Sequence, residues 1–242
     1  MYFFGSKQGG TTRIIPRPYQ SIFLLIDGSG EGFFMEKNME KIFVVKIGSS
    51  VLLTERNKLD EYRVGHIASQ VASLKEAGFN LVLVISGAVG LGSNFIDINN
   101  QDLIKKRAAA GIGQAILISY FNMIFKAKNL QVAQVLLTKK DLNLKDITDI
   151  LKYYINAGFI PLINENDVVD LNSFAGNDFL GAEITSLLSA KKFIMLSTMK
   201  GSEYGVGGGE AKREVIELLK RKNIETEIVD GKLKNILLKT II

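Results

Sequence analysis

The fold of this chain is decided by the stretch IFVVKIGSS, residues 42–50. Its first four residues are β-branched or aromatic and form a continuous apolar run, which is typical of a strand covered on both faces. Lys46 follows that run, and Gly48, Ser49 and Ser50 come next. In open parallel sheets, ligands bind outside the carboxyl ends of the strands. The stretch therefore predicts a buried strand with a polar site at its end.

Beyond this strand, apolar runs and helical patterns alternate along the chain. Apolar residues recur at helical spacing from Val64 to Leu74, and Leu81–Ile85 is a second continuous apolar run. Beyond them the patterns predict strands at 132–137, 160–163, 193–196 and 226–229, and helices at 103–127, 147–156, from 177 onward and at 211–222. This alternation predicts an α/β fold, a mostly parallel sheet sandwiched between helices.

The first 38 residues differ from the regular pattern that follows. They contain Pro16, Pro18 and the glycine-rich run at 28–32. That run could be a nucleotide loop, but no lysine-bearing phosphate motif follows it, so a leader or turn is the preferred interpretation. We interpret residues 1–38 as a leader, either non-native or preceding the true start, and residues 39–242 as the folded domain.

The composition excludes several classes of function. The 242 residues are 47% hydrophobic and 23% charged, which fits a globular protein rather than a disordered or fibrous one. There is no cysteine, so a thiol nucleophile, a disulfide scaffold and cysteine-ligated zinc are ruled out. The single histidine, His66, lies off the apolar stripe of its helix, and we expect it to be solvated. A histidine triad or a multi-histidine metal site is therefore disfavoured.

Charge and hydropathy favour a cytoplasmic protein that binds small anions. The net charge of +5 is spread along the chain without a basic block, which suits nucleotides better than nucleic acid. No segment approaches the roughly 20 apolar residues of a membrane span. The chain start also lacks the pattern of a signal peptide. We expect no nucleic-acid partner and no membrane partner.

Two small clusters at strand ends could bind phosphate. In the first, Lys46 offers charge, while Gly48 and Ser49 offer close backbone approach and donors. It is not a Walker A loop, because the lysine precedes the glycine, and an ordinary strand-to-turn junction is the alternative. In the second, Ser86 and Gly87 follow the next long strand. A serine there is commonly a turn residue, and no Gly-x-Ser-x-Gly hydrolase elbow surrounds it.

Three later motifs complete the set of candidate sites. The run from Asn164 to Asp167 follows a predicted strand and could bind an amine and a carboxylate, or form an Asx-rich turn. Asn177 and Asp178 open a helix, which they could simply cap. The segment GVGGGEAK, residues 205–212, is a glycine loop running into a helix and would suit a nucleotide phosphate. Glycine-rich linkers look similar, so this loop alone is weak evidence.

Taken in order, these segments resemble the amino-acid kinase family, and within it the members that phosphorylate glutamate. The matching motifs are VVKIGSSVL (44–52), VISGAVGLG (84–92), GIGQ (111–114), QVLLT (134–138), IPLINENDVV (160–169), GND (176–178) and GSEYGVGGGEAK (201–212). They cover residues 41–232. The combination of INEND with the lysine strand and the glycine loop is more specific than any single motif.

The resemblance implies a three-layer αβα fold and a phosphotransferase activity. The γ-phosphoryl group of ATP would pass to the side-chain carboxylate of L-glutamate, giving glutamyl 5-phosphate, the entry to proline synthesis. By position, Lys46 and Lys212 would neutralise the transferring phosphoryl group from opposite sides, and Asp178 would hold both lysines. Glutamate would be bound by Ser86, Asn164, Asp167 and Asn177.

The resemblance also assigns the nucleotide side. Gly48, Ser49 and Gly87 would contact phosphate oxygens through backbone N–H groups. Further nucleotide contacts would come from Ser197, Thr198, Val206, Gly207, Gly208 and Gly209, besides Lys46 and Lys212. Mg²⁺ would arrive with ATP, so no protein ligand to a metal is predicted. The family further implies a homo-oligomer, with an acceptor half at about 39–175 and a nucleotide half at about 176–242.

The chain departs from the family's pattern near the nucleotide. Gly176 stands where the family usually has an aspartate, and Thr198 where an acidic residue is usual. Only Met199–Tyr204 separate Thr198 from the glycine loop. Two alternatives therefore stay open. One is a shortened, catalytically inactive kinase-fold protein that binds glutamate or a partner, and the other is a related kinase for N-acetylglutamate, aspartate, UMP or another acid.

Overall fold

The computed structural model describes residues 41–98, 102–143, 145–198 and 209–242, together with four short strands nearer the chain start. Those strands pair antiparallel in the order β1-β2-β3-β4 and are β1 (Ser6–Lys7), β2 (Gly10–Arg13), β3 (Leu24–Ile26) and β4 (Gly32–Phe34). Gly32, the last glycine of the 28–32 run, begins β4, and residues 28–31 lie outside the described part.

The main sheet has six strands, and all of its pairings are parallel. Its order is β10-β9-β5-β6-β8-β7. The strands are β5 (Ile42–Ile47), β6 (Asn80–Ile85), β7 (Val132–Leu137), β8 (Ile160–Glu165), β9 (Lys192–Ser197) and β10 (Glu225–Asp230). β5 to β8 build one side of the sheet, and the chain then crosses to place β9 on the other side of β5.

Helices cover both faces of this sheet, so the predicted three-layer α/β fold is confirmed. They are α1 (Ser49–Leu52), α2 (Glu61–Glu76), α3 (Ala88–Gly92), α4 (Leu103–Lys126), a 3₁₀ helix (Lys139–Asn143), α5 (Lys145–Asn156), α6 (Asn177–Leu187), α7 (Gly209–Arg221) and α8 (Ile236–Ile241). One apolar core joins α2, α4 and α8 to the sheet, and a second joins α5, α6 and α7 to its other face.

The predicted elements are all present, with small changes at their ends. The third strand of the main sheet spans Val132–Leu137 as predicted. β8 runs on to Glu165, two residues beyond its predicted end, because its backbone keeps pairing with β7. Asn164 and Glu165 therefore belong to a buried strand rather than to the turn after it. This difference fixes their side chains firmly at the carboxyl edge of the sheet.

Helix α4 has the length and hydropathy of a membrane span, which corrects the expectation that no segment approaches one. It is the only such helix among the described residues, and the mean hydropathy over an 18-residue window of it is 1.5. Length and composition alone are weak evidence, since core helices pass the same test. Phe121 and Phe125 of α4 are fully buried and stack on each other. That packing is typical of a core helix.

The prediction that His66 is simply solvated is wrong, because its side chain makes contacts within the protein. Its Nε2 accepts a hydrogen bond of 3.1 Å from the backbone N–H of Asn235, and its ring stacks on Tyr62. One turn along α2, the buried Gln70 accepts the N–H of Leu237 at 2.9 Å. These two α2 side chains hold the start of α8, so His66 has a structural role.

Candidate active site

A cavity of about 350 Å³ opens at the carboxyl edge of the main sheet. Lys46 of β5, Ser86 after β6 and Glu165 of β8 line it, because neighbouring parallel strands end at the same edge. The start of α6 closes the cavity opposite these strands, contributing Asn177 and Asp178. The site therefore lies where the chain crosses from one side of the sheet to the other.

At one end of the site, a carboxylate lies between two lysines. Lys46 Nζ is 2.7 Å from Asp178 Oδ1, and Lys212 Nζ is 3.5 Å from Asp178 Oδ2. All three residues are buried, with exposed fractions of 8%, 4% and 8% in chain order. The Lys46 contact is an ion pair rather than a well-directed hydrogen bond. We call these three residues the charged centre; its net charge is +1.

Close packing fixes the position of Asp178 in the charged centre. Asp178 is the second residue of α6, where the helix dipole favours a negative charge. One turn further on, Gly181 brings α6 against the sheet. A Cβ atom on Gly181 would lie 2.5 Å from Cζ of Phe193 and 3.7 Å from Cβ of Lys46. The absence of a side chain at Gly181 therefore allows Asp178 to reach the lysine of β5.

On the other side of the cavity, Asn164 is locked by its neighbours. Its Nδ2 donates to Oε1 of Gln114 at 2.8 Å, and its Oδ1 accepts the N–H of Glu165 at 2.9 Å. Gln114 reaches Asn164 because α3 and α4 touch backbone to backbone, and a Cβ atom on Gly113 would overlap the carbonyl of Ala88. Asn164 lines the cavity, but much of its hydrogen-bonding capacity is used inside the protein.

The 166–176 loop runs from the end of the INEND motif to the start of the GND motif, and it folds over the cavity. Arg107 of α4 donates to the carbonyl of Val168 at 2.8 Å through Nε and to that of Val169 at 3.1 Å through Nη2. Asp167 Oδ1 accepts the N–H of Asn172 at 3.1 Å, which closes the loop on itself. Burial raises the pKa of Asp167, while the Asn172 hydrogen bond opposes that rise.

Two further features of the cavity wall suit a polar ligand. The Oδ1 atom of Asn177 is buried and has no hydrogen-bond partner among the described residues. Leaving such an atom unsatisfied costs about 1–3 kcal/mol, so a ligand that donates to it would gain that amount. Ser86 and Asp167 line the same space and offer a hydroxyl and a carboxylate.

The three expected backbone donors are placed differently from one another. The N–H of Gly48 donates to the carbonyl of Leu196 at 2.9 Å, so this group is already used within the protein, and its expected contact with a phosphate stays a prediction. That bond ties the end of β5 to β9. Ser49 opens α1 and lines the cavity beside Lys46. Gly87 also lines the cavity, in a left-handed conformation with φ of 106° that glycine adopts without strain.

Of the remaining nucleotide positions, Ser197, Thr198 and Gly209 do not line this cavity. Ser197 ends β9 and Thr198 follows it, while Gly209 begins α7 and places Lys212 one turn into that helix. Val206, Gly207 and Gly208 lie outside the described residues. Of the expected site, the structure brings together Lys46, Ser86, Asn164, Asp167, Asn177 and Asp178 around one cavity, with Lys212 reaching its edge through Asp178.

Sequence reasoning missed several residues that the cavity uses. Glu165 and Lys106 line the wall, and Gln114 positions Asn164 from behind. Glu165 lies inside the INEND run and Gln114 inside the GIGQ motif, so the motifs contained a signal for both. Lys106 lies one turn into a long helix and had no such signal. Among the described residues, no group of three or more His, Asp or Glu side chains could hold a metal ion.

Comparison with known protein families identifies the class of protein to which this chain belongs. A profile of the Amino acid kinase family matches residues 41–239. The chain therefore belongs to the amino acid kinase family.

Curated relatives of this chain include proteins named glutamate 5-kinase. That of Streptococcus uberis is 30% identical over 215 residues, an alignment that covers 83% of this chain and 77% of the relative. That of Thermus thermophilus is 40% identical over 165 residues, covering 65% of this chain and 44% of the relative. The Clostridium acetobutylicum protein is 34% identical over 166 residues, and this chain spans 62% of it.

Solved structures with the same fold include kinases for other acceptors. An isopentenyl phosphate kinase superposes with a TM-score of 0.60 at 17% identity, covering 83% of this chain and 95% of that one. The UMP kinase of Ureaplasma parvum gives a TM-score of 0.60 at 11% identity, covering 83% and 94%. At these identities the likeness shows the fold alone.

Proposed function

We propose that this protein transfers the γ-phosphoryl group of ATP to the side-chain carboxylate of L-glutamate, the first step of proline biosynthesis. The observation that carries the proposal is the charged centre, in which one buried carboxylate holds two lysines at 2.7 and 3.5 Å. Phosphoryl transfer depends on positioning and on neutralising charge, and it needs little covalent help from the protein. The names of the relatives support glutamate as the acceptor.

In this reaction a glutamate side-chain oxygen bonds to the γ-phosphorus while the bond from that phosphorus to the β,γ-bridging oxygen breaks, and ADP leaves. The acceptor carboxylate is already ionised near neutral pH, since its ordinary pKa is about 4.3, so no general base is required. Lys46 and Lys212 would offset the negative charge on the transferring group. Asp178 would keep both ammonium groups in place without contacting the phosphoryl group as a nucleophile.

The charged centre also indicates how Mg²⁺ would fit. Both oxygens of Asp178 already face lysines, and the described residues provide no cluster of three metal-binding side chains. A magnesium ion would therefore be held by the nucleotide phosphates and water, which is its usual preference. Bound in that way, it would supply further charge neutralisation on the phosphates.

The polar wall on the other side of the cavity supports an amino-acid acceptor. Asp167 offers a carboxylate and Asn177 an unpaired amide oxygen, both suited to an ammonium group. Ser86 and Ser49 offer hydroxyl donors suited to carboxylate oxygens. Acceptors without an ammonium group, such as N-acetylglutamate or UMP, would bring fewer N–H donors and no positive charge to this pair. The cytoplasmic location and a homo-oligomeric state are further parts of the proposal.

The proposal is tested by measuring ADP release from ATP and Mg²⁺ with the purified chain, using glutamate, aspartate, N-acetylglutamate or UMP as the acceptor. We expect glutamate to be preferred, and added hydroxylamine to trap its acyl phosphate as the hydroxamate. Lys46→Met should lower kcat roughly 100-fold. Absence of glutamate-dependent ADP release from folded protein would contradict the proposal. Calorimetric binding of Mg-ATP would then separate an inactive binding protein from a kinase with another acceptor.

A further inference from the structure

Glu165 is a buried carboxyl group in the cavity wall to which the proposed chemistry gives no role. It is the last residue of β8, and only 4% of its surface is exposed. Its Oε2 accepts the backbone N–H of Phe174 at 3.4 Å, and its carboxyl group also accepts the N–H of Gly176. Glu165 therefore connects the end of the sheet to the far end of the 166–176 loop, immediately before Asn177.

Because of this position, Glu165 affects where the 166–176 loop places Asp167 and Asn177. Asp167 lies at the start of the loop and Asn177 follows its end, and both face the cavity. Arg107 holds the loop's first half through two carbonyl groups. In the second half, Ser173 Oγ accepts the N–H of Lys139 at 3.1 Å, the Phe174 side chain is buried in the second apolar core, and Glu165 supplies the hydrogen bond to β8. Movement of Phe174 and Gly176 away from Glu165 would change the distance between Asp167 and Asn177.

The charged groups that act most directly on Glu165 are negative, and those further away are of both signs. Asp167 and Asp170 of its own segment act on it directly. The other charged residues on the cavity wall or on the elements packed beside it are Asp178 of α6, Lys46 of β5, Lys106 and Arg107 of α4, and Lys139, Lys140 and Asp141 of the 3₁₀ helix.

Burial, followed by the negative charge of Asp167, raises the pKa of Glu165 to about 7. The hydrogen bonds from Phe174 and Gly176 oppose this rise, because they stabilise the ionised form. Hydrogen bonds to a carboxylate are shorter and stronger than those to a neutral carboxyl group. Ionised Glu165 therefore holds the loop more firmly than protonated Glu165 does.

We propose that Glu165 is a positioning residue for the acceptor: its ionised carboxylate holds the far end of the 166–176 loop in the geometry that binds glutamate, and its protonation loosens that end. The inference rests on the proposed function for the identity of the acceptor. Glu165 acts through Asp167 and Asn177 and does not touch the transferring group. The bound ammonium group also favours the ionised form, because it adds a positive charge to a wall rich in carboxylates.

The direction of the pH effect follows from linkage. If the acceptor binds only when Glu165 is ionised, a pKa of about 7 in the free protein makes the KM for glutamate rise about tenfold from pH 8 to pH 6. The KM for ATP should not follow this curve, because the residues expected to bind the nucleotide lie outside the loop. In Glu165→Gln the amide oxygen can still accept an N–H group but cannot ionise, so the KM for glutamate should be flat over this range.

A matched control is Asp170→Asn, which removes an exposed carboxylate from the same loop. Because Asp170 raises the pKa of Glu165, this variant should keep the rise in KM but move it to lower pH. The inference is overturned if wild-type KM is flat from pH 6 to 8, if it falls as the pH drops, or if Glu165→Gln retains the wild-type curve while glutamate is still phosphorylated.

A second measurement needs no substrate and separates this inference from the proposed function. In an NMR titration of the full chain, the amide protons of Phe174 and Gly176 should shift with a midpoint at a pH of about 7, and the shift should be lost in Glu165→Gln. Their failure to titrate in the wild type would overturn the inference even if the protein phosphorylates glutamate. If the two amide protons titrate as expected but the protein does not phosphorylate glutamate, the proposed function alone is refuted.

Discussion

The charged centre and the 166–176 loop face the same cavity but are built in different ways. Lys46, Asp178 and Lys212 belong to β5, α6 and α7, and packing in the core fixes them. The loop has no regular structure; it is held by hydrogen bonds to Arg107, Lys139 and Glu165 and by the side chain of Phe174 in the second apolar core. We infer that the rigid elements set the rate of phosphoryl transfer and that the loop sets acceptor affinity. Changes to the two regions should therefore affect different kinetic constants.

The largest effect is expected from Asp178→Asn. The amide has nearly the shape of the carboxylate but no charge, so both lysines lose their partner and repel each other. We expect kcat to fall roughly 10³-fold, with the KM for glutamate changing much less. Steady-state ADP release at saturating ATP gives both constants. A change in the KM for glutamate with no change in kcat would contradict the inference that the charged centre sets the rate of phosphoryl transfer.

An intermediate effect is expected from Gly181→Ala, which tests whether packing fixes the charged centre. The added methyl group would lie 2.5 Å from the buried ring of Phe193, so either α6 or that ring must shift. We expect a loss of about 1–3 kcal/mol in the free energy of unfolding, together with a lower kcat. The control is Gly65→Ala in α2, whose new Cβ would meet only Ile124, at 3.8 Å.

Denaturant unfolding measures both glycine variants. Because Gly65 lies inside a helix where a methyl group fits, Gly65→Ala should be neutral or stabilising by about 0.5–1 kcal/mol. Equal destabilisation of the two variants would show that the contact with Phe193 has no special effect. Unchanged kcat in Gly181→Ala would show that α6 does not need this close approach to place Asp178.

The smallest effect is expected from Arg107→Gln, which loosens only the loop. The shorter side chain loses the two hydrogen bonds to the carbonyls of Val168 and Val169. We expect the KM for glutamate to rise about three- to tenfold while kcat stays within about twofold. Lys105→Gln on the same helix is the control, since Lys105 is exposed and its one ion pair within the described part of the chain is with Asp102, at 3.7 Å. Equal changes in the two variants would refute the role of Arg107.

The alternation of apolar runs and helical patterns was enough to predict the layers of the fold, because each pattern is local. The strand order was not predictable in the same way, since the placement of β9 beside β5 depends on contacts between residues far apart in the chain. The same limit explains two contacts that the sequence did not predict. The carbonyl of Leu196 that occupies the N–H of Gly48, and the N–H of Asn235 that reaches His66, are both distant in sequence.

The candidate site was likewise predictable where the signal is local, but not where it depends on contacts between residues far apart in the chain. The motifs marked the strand ends and the start of α6, and their order along the chain brought them to one edge of a parallel sheet. Glu165 was overlooked because its burial arises only when the 166–176 loop folds back over β8. Lys106 was overlooked because its helix presents it to the cavity through the contact of α4 with α3, which no local pattern records.

The most direct test of the account follows oxygen from acceptor to phosphate. Glutamate carrying ¹⁸O in both side-chain carboxylate oxygens is incubated with the protein, ATP, Mg²⁺ and hydroxylamine, and the released inorganic phosphate is analysed by mass. Because the carboxylate oxygen attacks phosphorus and hydroxylamine then attacks the carbonyl carbon, the account predicts phosphate that carries one ¹⁸O atom, and almost none from Asp178→Asn. ADP formation with unlabelled phosphate would contradict it.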